Sequence, residues 1–479
     1  MYGQSQISET RQNYFRRLAS QVGLGLDSKR VFMSVDQSQP DKKAVATSLV
    51  RQLREQGFAA YFAGGCVRDR MLGVEAKDYD IATDARPEVI QRLFPNTVAV
   101  GARFGVIVVI SDGMPFEVAT FRADAPYLDG RRPSAVRFGT LAEDAARRDF
   151  TIGGMYYDPL GDEVIDLVGG RADLRAGIVR AIGDPAERFA EDRLRMLRGV
   201  RFAARLGFEI EPRTWQAIAA HADAIGAVSA ERIGDELVMI MTEGSPAHGM
   251  ELLRQCGLMH QIVPELEPLA QCAQPANFHP EGDVWRHTLL ALSMLEYGCS
   301  ETLAFGLLFH DIAKPPCRAE SEGKVTFHGH TERGAEMATA ILQRLKRSRF
   351  IQERVAYLVR YHLRLTMAPR MRPSTLKRML AEEGFEELLE LSWYDALASN
   401  SYLGFYHFCR QALAARQPQA LREARLINGR DLIELGFTPG PRFKTILREV
   451  EDLQLDGQLR DRQQALAYVR RRHGGQSSS

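Results

Sequence analysis

Asp78 and Asp80 stand one residue apart in Lys77-Asp78-Tyr79-Asp80-Ile81-Ala82-Thr83, soon after Gly64-Gly65-Cys66-Val67-Arg68-Asp69. Read as a strand, Lys77 to Thr83 puts both carboxylates on one side, because side chains alternate along an extended chain. The apolar run Ala59 to Ala63 just before the glycines suits a short buried strand. Gly64 and Gly65 let the backbone turn and come close to a ligand. Arg68 and Asp69 open a short helix, whose free N–H groups form an anion site. Two carboxylates beside such a nest suit a pair of hard divalent cations and a triphosphate.

A second set of residues suited to metal chemistry lies downstream. His287 sits in Val-Trp-Arg-His-Thr, the adjacent His310 and Asp311 in Leu-Leu-Phe-His-Asp-Ile-Ala-Lys, and Asp395 in Trp-Tyr-Asp-Ala-Leu, with His328, His330 and His362 between them. Neutral imidazole together with carboxylate suits Mn, Ni, Fe, Mg or Zn in an open site. A His-Asp pair on an apolar helix, with outlying His and Asp, favours a metal over buried structural histidines. The spacing resembles that of HD-type phosphohydrolases.

The elements that must position these groups are readable. Ala44 to Gln56 has helical spacing and ends at Gly57. Phe104 to Ile110 and Pro115 to Phe121 flank Ser111-Asp112-Gly113-Met114, a strong hairpin signal. Glu117, in the second of these strands, is a candidate third metal carboxylate beside Asp78 and Asp80. Arg122 to Pro133 reads as an exposed polar loop. In Arg147-Arg148-Asp149 the guanidinium groups suit a bidentate grip on phosphates. From about Pro185 the pattern is helical: acids at Glu191 and Asp192 open a helix that Gly207 closes. Asp192 and Arg195, three apart on that helix, are expected to share a face. Ser229 is a candidate N-cap of the helix containing Arg232. Pro441 is expected to open a helix after Pro439-Gly440, with Arg442 and Lys444 near its start as candidate RNA-phosphate contacts.

Strand, Gly-Gly, Arg-Asp, helix and Asp-x-Asp together resemble the head of the class II nucleotidyltransferases, the CCA-adding tRNA enzymes and bacterial poly(A) polymerases. Arg147-Arg148-Asp149 resembles that family's Arg-Arg-Asp motif, with Gly153 where the family has Asn. Glu191-Asp192-x-x-Arg195 resembles its Glu-Asp-x-x-Arg motif. The resemblance implies Asp78 and Asp80 as catalytic ligands of Mg2+, and Gly64, Gly65, Arg68, Arg148, Asp149, Asp192, Arg195 and Arg198 as nucleotide contacts. It gives Asp149 the ribose hydroxyl and gives Asp192 and Arg195 the base. The chemistry of that last role is direct. Cytosine and adenine pair an exocyclic amino donor with a ring-nitrogen acceptor, whereas guanine and uracil place a carbonyl where Asp192 needs a donor. Val100-Gly-Ala-Arg-Phe-Gly-Val106 resembles the CCA-adding form of its strand rather than the more basic poly(A) polymerase form, and Arg122 to Pro133 corresponds to the flexible segment associated with adding A. The expected partners are the tRNA 3′ end, CTP and ATP. A poly(A) polymerase or an A-adding enzyme is the near alternative, and an HD phosphohydrolase with an RNA-binding head the distant one. The HD set, His287, His310, Asp311 and Asp395, implies a divalent metal and a phosphohydrolase activity.

Composition agrees with this reading. The chain has 479 residues and a net charge of +1, which disfavours a protein that coats nucleic acid but allows a local basic groove. Six cysteines without a Cys-x-x-Cys pair read as reduced thiols of a cytoplasmic protein. Apolar runs fall well short of the ~20 residues that span a membrane, no signal segment is expected, and no stable protein partner is implied. The expected fold is α+β: a nucleotidyltransferase head with a small mixed β-sheet at 41–175, an all-α neck at 176–275, an HD domain at 276–400 and a helical tail at 401–479. Residues 1–40 read as a loose extension, with Met33 an alternative start, and Gly474 to Ser479 as disordered.

Overall fold

The computed structural model describes residues 41–101, 105–124, 136–275, 279–399, 402–415 and 425–474. The expectations for residues 1–40, Ala102 to Phe104, the greater part of Arg122 to Pro133 and the last five residues lie outside these.

The head is built on one mixed sheet. Its strands are β1 (Ala60–Ala63), β2 (Asp80–Thr83), β3 (Thr97–Gly101), β4 (Val106–Ser111), β5 (Met114–Thr120), β8 (Tyr156–Asp158) and β9 (Glu163–Ile165), in the order β3-β4-β5-β2-β1-β8-β9. The pair β2–β5 is parallel, and its other pairs are antiparallel. Helix α1 (Lys42–Glu55) lays Val45, Leu49, Val50 and Leu53 against this sheet and shares a core with Phe62, Ile81, Ile107, Phe116 and Val118. The β4–β5 hairpin closes through Asp112 at φ 49° and Gly113 at φ 74°, with Ser111 opposite Met114. Two successive positive-φ residues make this a primed turn, which matches strand twist.

Three expectations are corrected. The strand begins at Asp80, so Lys77, Asp78 and Tyr79 precede it rather than belonging to it. The polar segment after Phe121 is not wholly a loop: β6 (Arg122–Asp124) pairs antiparallel with β7 (Val136–Phe138). The single helix expected from Glu191 is two, α6 (Pro185–Glu191) and α7 (Leu194–Leu206), broken at Asp192, whose backbone is extended at φ −140° and ψ 105°. Asp192 therefore does not share a helical face with Arg195; its side chain instead accepts from the Leu194 N–H at 3.1 Å, at the start of the second helix.

Gly207 ends α7 in the left-handed conformation, as its position implies. Gly199 lets α7 approach the head closely, since a Cβ there would lie 3.1 Å from the Phe150 ring. The neck continues with α8 (Pro212–Ala220), α9 (Ala230–Thr242) and α10 (Pro246–Gln255). Ser229 occupies the N-cap position of α9, but its side chain makes no capping bond.

The HD segment comprises α11 (Val284–Leu292), α12 (Glu301–Phe309), α13 (His330–Arg344), α14 (Arg349–Tyr361) and α15 (Phe385–Ala398). Its core is continuous with that of the neck: Phe189, Leu197 and Leu237 belong to one cluster with Trp285, Phe305, Leu358 and Leu391. The tail helices Gly429–Glu434, Pro441–Leu455 and Arg462–His473 form a small core of their own around Leu432, Ile446 and Val469. The Pro441 helix opens with proline in its first turn, as expected. No helix among the described residues is long and apolar enough to cross a membrane.

Gly64 is a position where glycine is required. Its φ of 75° and ψ of −123° strain any side chain, and a Cβ would stand 3.1 Å from an Arg148 nitrogen. Gly64→Ala is expected to lower stability by about 1–3 kcal/mol, read as a reduced urea midpoint at unchanged slope.

Candidate functional site

In the head, β1 delivers the chain to Gly64, where α2 (Gly65–Met71) starts, and antiparallel β2 returns beside it. Ile81 faces Val118 across the parallel pair, and both are buried. One residue earlier on each strand, Asp80 and Glu117 therefore emerge side by side on the opposite, solvent-facing side of the sheet. The Asp80 carboxyl is pushed up to about 6, first by the crowding of protein around it and then by the charge of Glu117, with Asp78 adding to the effect and Arg148 and Lys42 opposing it. The charges of Glu117 and Asp78 thus bear on Asp80, although among the described residues the sets of ligand atoms already close enough to hold one metal ion all lie in the HD segment. Carboxylates that repel in this way are costly unless a cation joins them, which is the chemistry of a divalent metal site. Lys42, at the start of α1, was not singled out from sequence. Its ammonium lies 2.6 Å from Asp78 and also donates to the Lys77 carbonyl.

The phosphate-gripping arginines divide. Arg68 is buried, bonded through two nitrogens to Asp69 at 2.8 and 2.6 Å, and stacked over Phe202 of the neck at 5.5 Å. Arg148 borders Gly64 and is held by Asp144, Tyr156 Oη and the Gly153 carbonyl. Asp144 is the buried anchor here. Burial would raise its carboxyl, but Arg147 and Arg148 outweigh that and lower it. A Cβ on Gly153 would meet nothing within 4 Å, so a side chain at that position has room.

Asp149, Arg195 and Arg198 come together. Asp149 Oδ1 accepts from Arg195 Nε at 2.8 Å, and Oδ2 lies 2.7 Å from Arg198 Nε. Burial would raise the Asp149 carboxyl; Arg198 and Arg195 override it and hold it below its ordinary value. Arg195 is also bonded to Glu191 at 2.6 Å and to the Arg188 and Arg147 carbonyls. Asp192 is not paired with Arg195. Its partner is Arg232 on α9, at 2.9 Å. That contact makes α9 a support for the junction between α6 and α7.

In the HD segment the four expected ligands converge. His287 Nε2 is 3.1 Å from Asp395 Oδ1 and 3.2 Å from His310 Nε2, and His310 Nε2 is 3.2 Å from Asp311 Oδ2. Burial would lower the His287 imidazole, but its bonds to Asp395 and Glu281 push it up to about 9. Burial would likewise raise Asp311, yet Lys314 and His310 hold it well below the ordinary carboxylate value. Lys314 Nζ lies 2.6 Å from Asp311 Oδ2. His330 and His362 join the cluster from the other side, whereas His328 is exposed and lies outside it. Glu281 was missed from sequence, where a lone glutamate carries no signal; here it accepts from His287 Nδ1 at 2.7 Å and His279 Nδ1 at 2.8 Å. A carboxylate behind a ligand histidine fixes the ring and its tautomer. A cavity of about 340 Å3 opens onto Asp311, His330, His362 and Asp395. Buried imidazole and carboxylate donors facing such a cavity fit a divalent cation with open positions.

The fold of the head is that of a nucleotidyltransferase of the poly(A) polymerase type. The family model described as the poly A polymerase head domain matches residues 60–180, the one described as a probable RNA and SrmB-binding site of polymerase A matches 207–269, and the HD domain matches 284–398. The CCA-adding enzyme of Levilactobacillus brevis is 33% identical over 438 residues, covering 89% of this chain and 97% of its own. That of Enterococcus faecalis is 34% identical over 429 residues, covering 89% and 95%. The crystal structure of the Bacillus stearothermophilus CCA-adding enzyme in complex with CTP has a TM-score of 0.70 and 26% identity, covering 91% of this chain and 98% of that one. The chain belongs to the CCA-adding enzyme family.

Two outcomes test the geometry. A raised Asp80 pKa means that the folded state binds this proton more tightly than the unfolded chain does, so ionised Asp80 costs stability once pH exceeds about 4 and costs it fully above about 6. Asp80→Asn is expected to raise the melting temperature at pH 7.5 without added metal, and the gain should vanish near pH 4. Glu281→Ala is expected to weaken divalent-metal binding by the HD segment about 10–100-fold, measured by competition with a fluorescent chelator.

Proposed function

We propose that this chain adds C, C and A to the 3′ end of tRNA from CTP and ATP without a nucleic-acid template, as a cytoplasmic enzyme. The observation that carries the reading is family membership over 89% of the chain: two relatives named CCA-adding enzymes are matched over at least 95% of their own length. Asp78 and Asp80 are the proposed ligands of Mg2+, with Glu117 a third carboxylate at the same place. When bound there, Mg2+ supplies Lewis-acid activation of the RNA 3′ hydroxyl and neutralises charge on the triphosphate and the leaving pyrophosphate. The Gly64 turn and Arg148 face the phosphates. Arg68 acts from behind by holding the turn, since Asp69 already occupies its guanidinium. Asp149 accepts from the ribose hydroxyl while Arg198 and Arg195 keep it ionised.

For base choice, Asp192 accepts from the exocyclic amino group of C or A, and Arg195 donates to the ring nitrogen. Each must exchange an existing partner, Arg232 for Asp192 and a backbone carbonyl for Arg195. The exchange penalises a wrong base: guanine or uracil would leave Asp192 Oδ2, the oxygen that Arg232 had bonded, without a replacement donor. The HD segment is proposed as a metal-dependent phosphohydrolase, with His287, His310, Asp311 and Asp395 as ligands of a divalent metal.

The test is a tRNA lacking its three terminal nucleotides, supplied with CTP and ATP and sequenced after reaction. Addition of C, C and A followed by a stop supports the proposal. No reaction until the two Cs are supplied would mean an A-adding enzyme, and a ladder of A on any RNA a poly(A) polymerase. In the same assay Asp80→Ala is expected to lose addition by at least about 10³-fold, the scale of removing a preorganised charge-stabilising group, while binding tRNA as before.

A further inference from the structure

We propose that Tyr297, on a turn outside the head, is a positioning residue for the metal site of the head and acts on Asp78 through Lys77. The inference rests on the reading of Asp78 and Asp80 as metal ligands and extends that site to a residue that follows the first HD helix, α11.

Asp78 lies outside the ladder that fixes Asp80. β2 begins at Asp80, and among the described residues no backbone–backbone hydrogen bond fixes Glu75 to Tyr79. The position of Asp78 is therefore left to side chains. Tyr79 packs on Phe62 of β1, with 5.2 Å between ring centroids. Lys42 donates to Asp78 Oδ1 at 2.6 Å and to the Lys77 carbonyl at 3.1 Å. The third hold comes from beyond the head, where Lys77 Nζ donates to the Tyr297 hydroxyl oxygen at 3.3 Å.

Tyr297 is itself anchored. The Gly298 N–H donates to the Thr242 carbonyl at 2.8 Å, and the Cys299 N–H closes the turn onto the Glu296 carbonyl at 3.2 Å. Gly298 takes a φ of 78°, which a glycine adopts without strain. Thr242 is the last residue of α9, whose first turn carries Arg232, the partner of Asp192. One helix of 13 residues, about 20 Å long, thus supports the proposed base-reading Asp192 at one end and the Asp78 loop at the other. A metal ligand on a loop that its backbone does not pin loses affinity when its support is removed, because the cost of ordering it then falls on the metal. Tyr297 is 57% exposed, so trimming its side chain opens no cavity in the interior.

The experiment titrates Mn2+ into the full-length chain, read by electron paramagnetic resonance, and subtracts the same titration of the chain carrying Asp78→Ala and Asp80→Ala, so that sites elsewhere cancel. Tyr297→Phe removes only the hydroxyl. It is expected to weaken the Asp78-dependent site about two- to tenfold, the scale of one hydrogen bond, with the rate of nucleotide addition restored by raising Mg2+. In a Lys77→Met background the same change should have no further effect. An unchanged affinity in Tyr297→Phe, or an equal loss with and without Lys77, would overturn the role of Tyr297 while the metal reading stands. Absence of any Mn2+ binding that depends on Asp78 and Asp80 would overturn that reading as well.

Discussion

Arg195 closes the joint between head and neck. Its side chain is almost fully buried, and its N–H groups are spent on Asp149 of the head, on Glu191 at the end of α6 and on the Arg188 and Arg147 carbonyls. A buried guanidinium tolerates no idle donor. The helix break at Asp192, the position of Asp149 and the path of the chain after Asp144 are therefore tied to one group. Arg68 meets the same joint from the head by stacking on Phe202, whose ring is also flanked by Arg198 and Arg201. The proposed nucleotide site is thus assembled on a charged joint whose parts are each satisfied by another.

Both proposed centres use the same electrostatic device. In the head, Lys42 neutralises Asp78, and in the HD module Lys314 neutralises Asp311. An ammonium on a flexible stem is a mobile point charge. It holds a carboxylate against its neighbours at little cost and can give way to a more strongly binding cation. The two sites differ in depth. Asp78 is largely exposed whereas Asp311 is sealed, which suits weak, exchangeable ions at one and retained ions at the other.

Strands β1, β2, β4 and β5, the hairpin at Asp112-Gly113 and the convergence of His287, His310, Asp311 and Asp395 were legible because each rests on local signals: alternation, turn chemistry and fixed spacing; the short strands β8 and β9 carry too few residues to show alternation. The break at Asp192 was not. Apart from Asp192 the residues from Glu191 to Arg198 are good helix formers, and what interrupts them there is helped by tertiary contacts, Arg232 with Asp192 and Asp149 with Arg195. The start assigned to β2, three residues too early at Lys77, had a similar cause, since Asp78 is drawn to Lys42 of α1. Lys42, Glu281 and the facing of His330 and His362 toward Asp311 depend on contacts between distant segments, which no single stretch encodes.

The continuous core of neck and HD segment bears on how such proteins diverge. Phe189, Leu197 and Leu237 pack in the same cluster as Trp285, Phe305 and Leu358, so the HD helices are the other half of the neck's interior. Selection can then erase the ligand histidines of a descendant far more cheaply than it can delete the helices that carry them. A lineage that abandons the second chemistry would keep its scaffold as ballast for the first, and a vacated HD fold would be a fossil of lost function rather than a dispensable appendage.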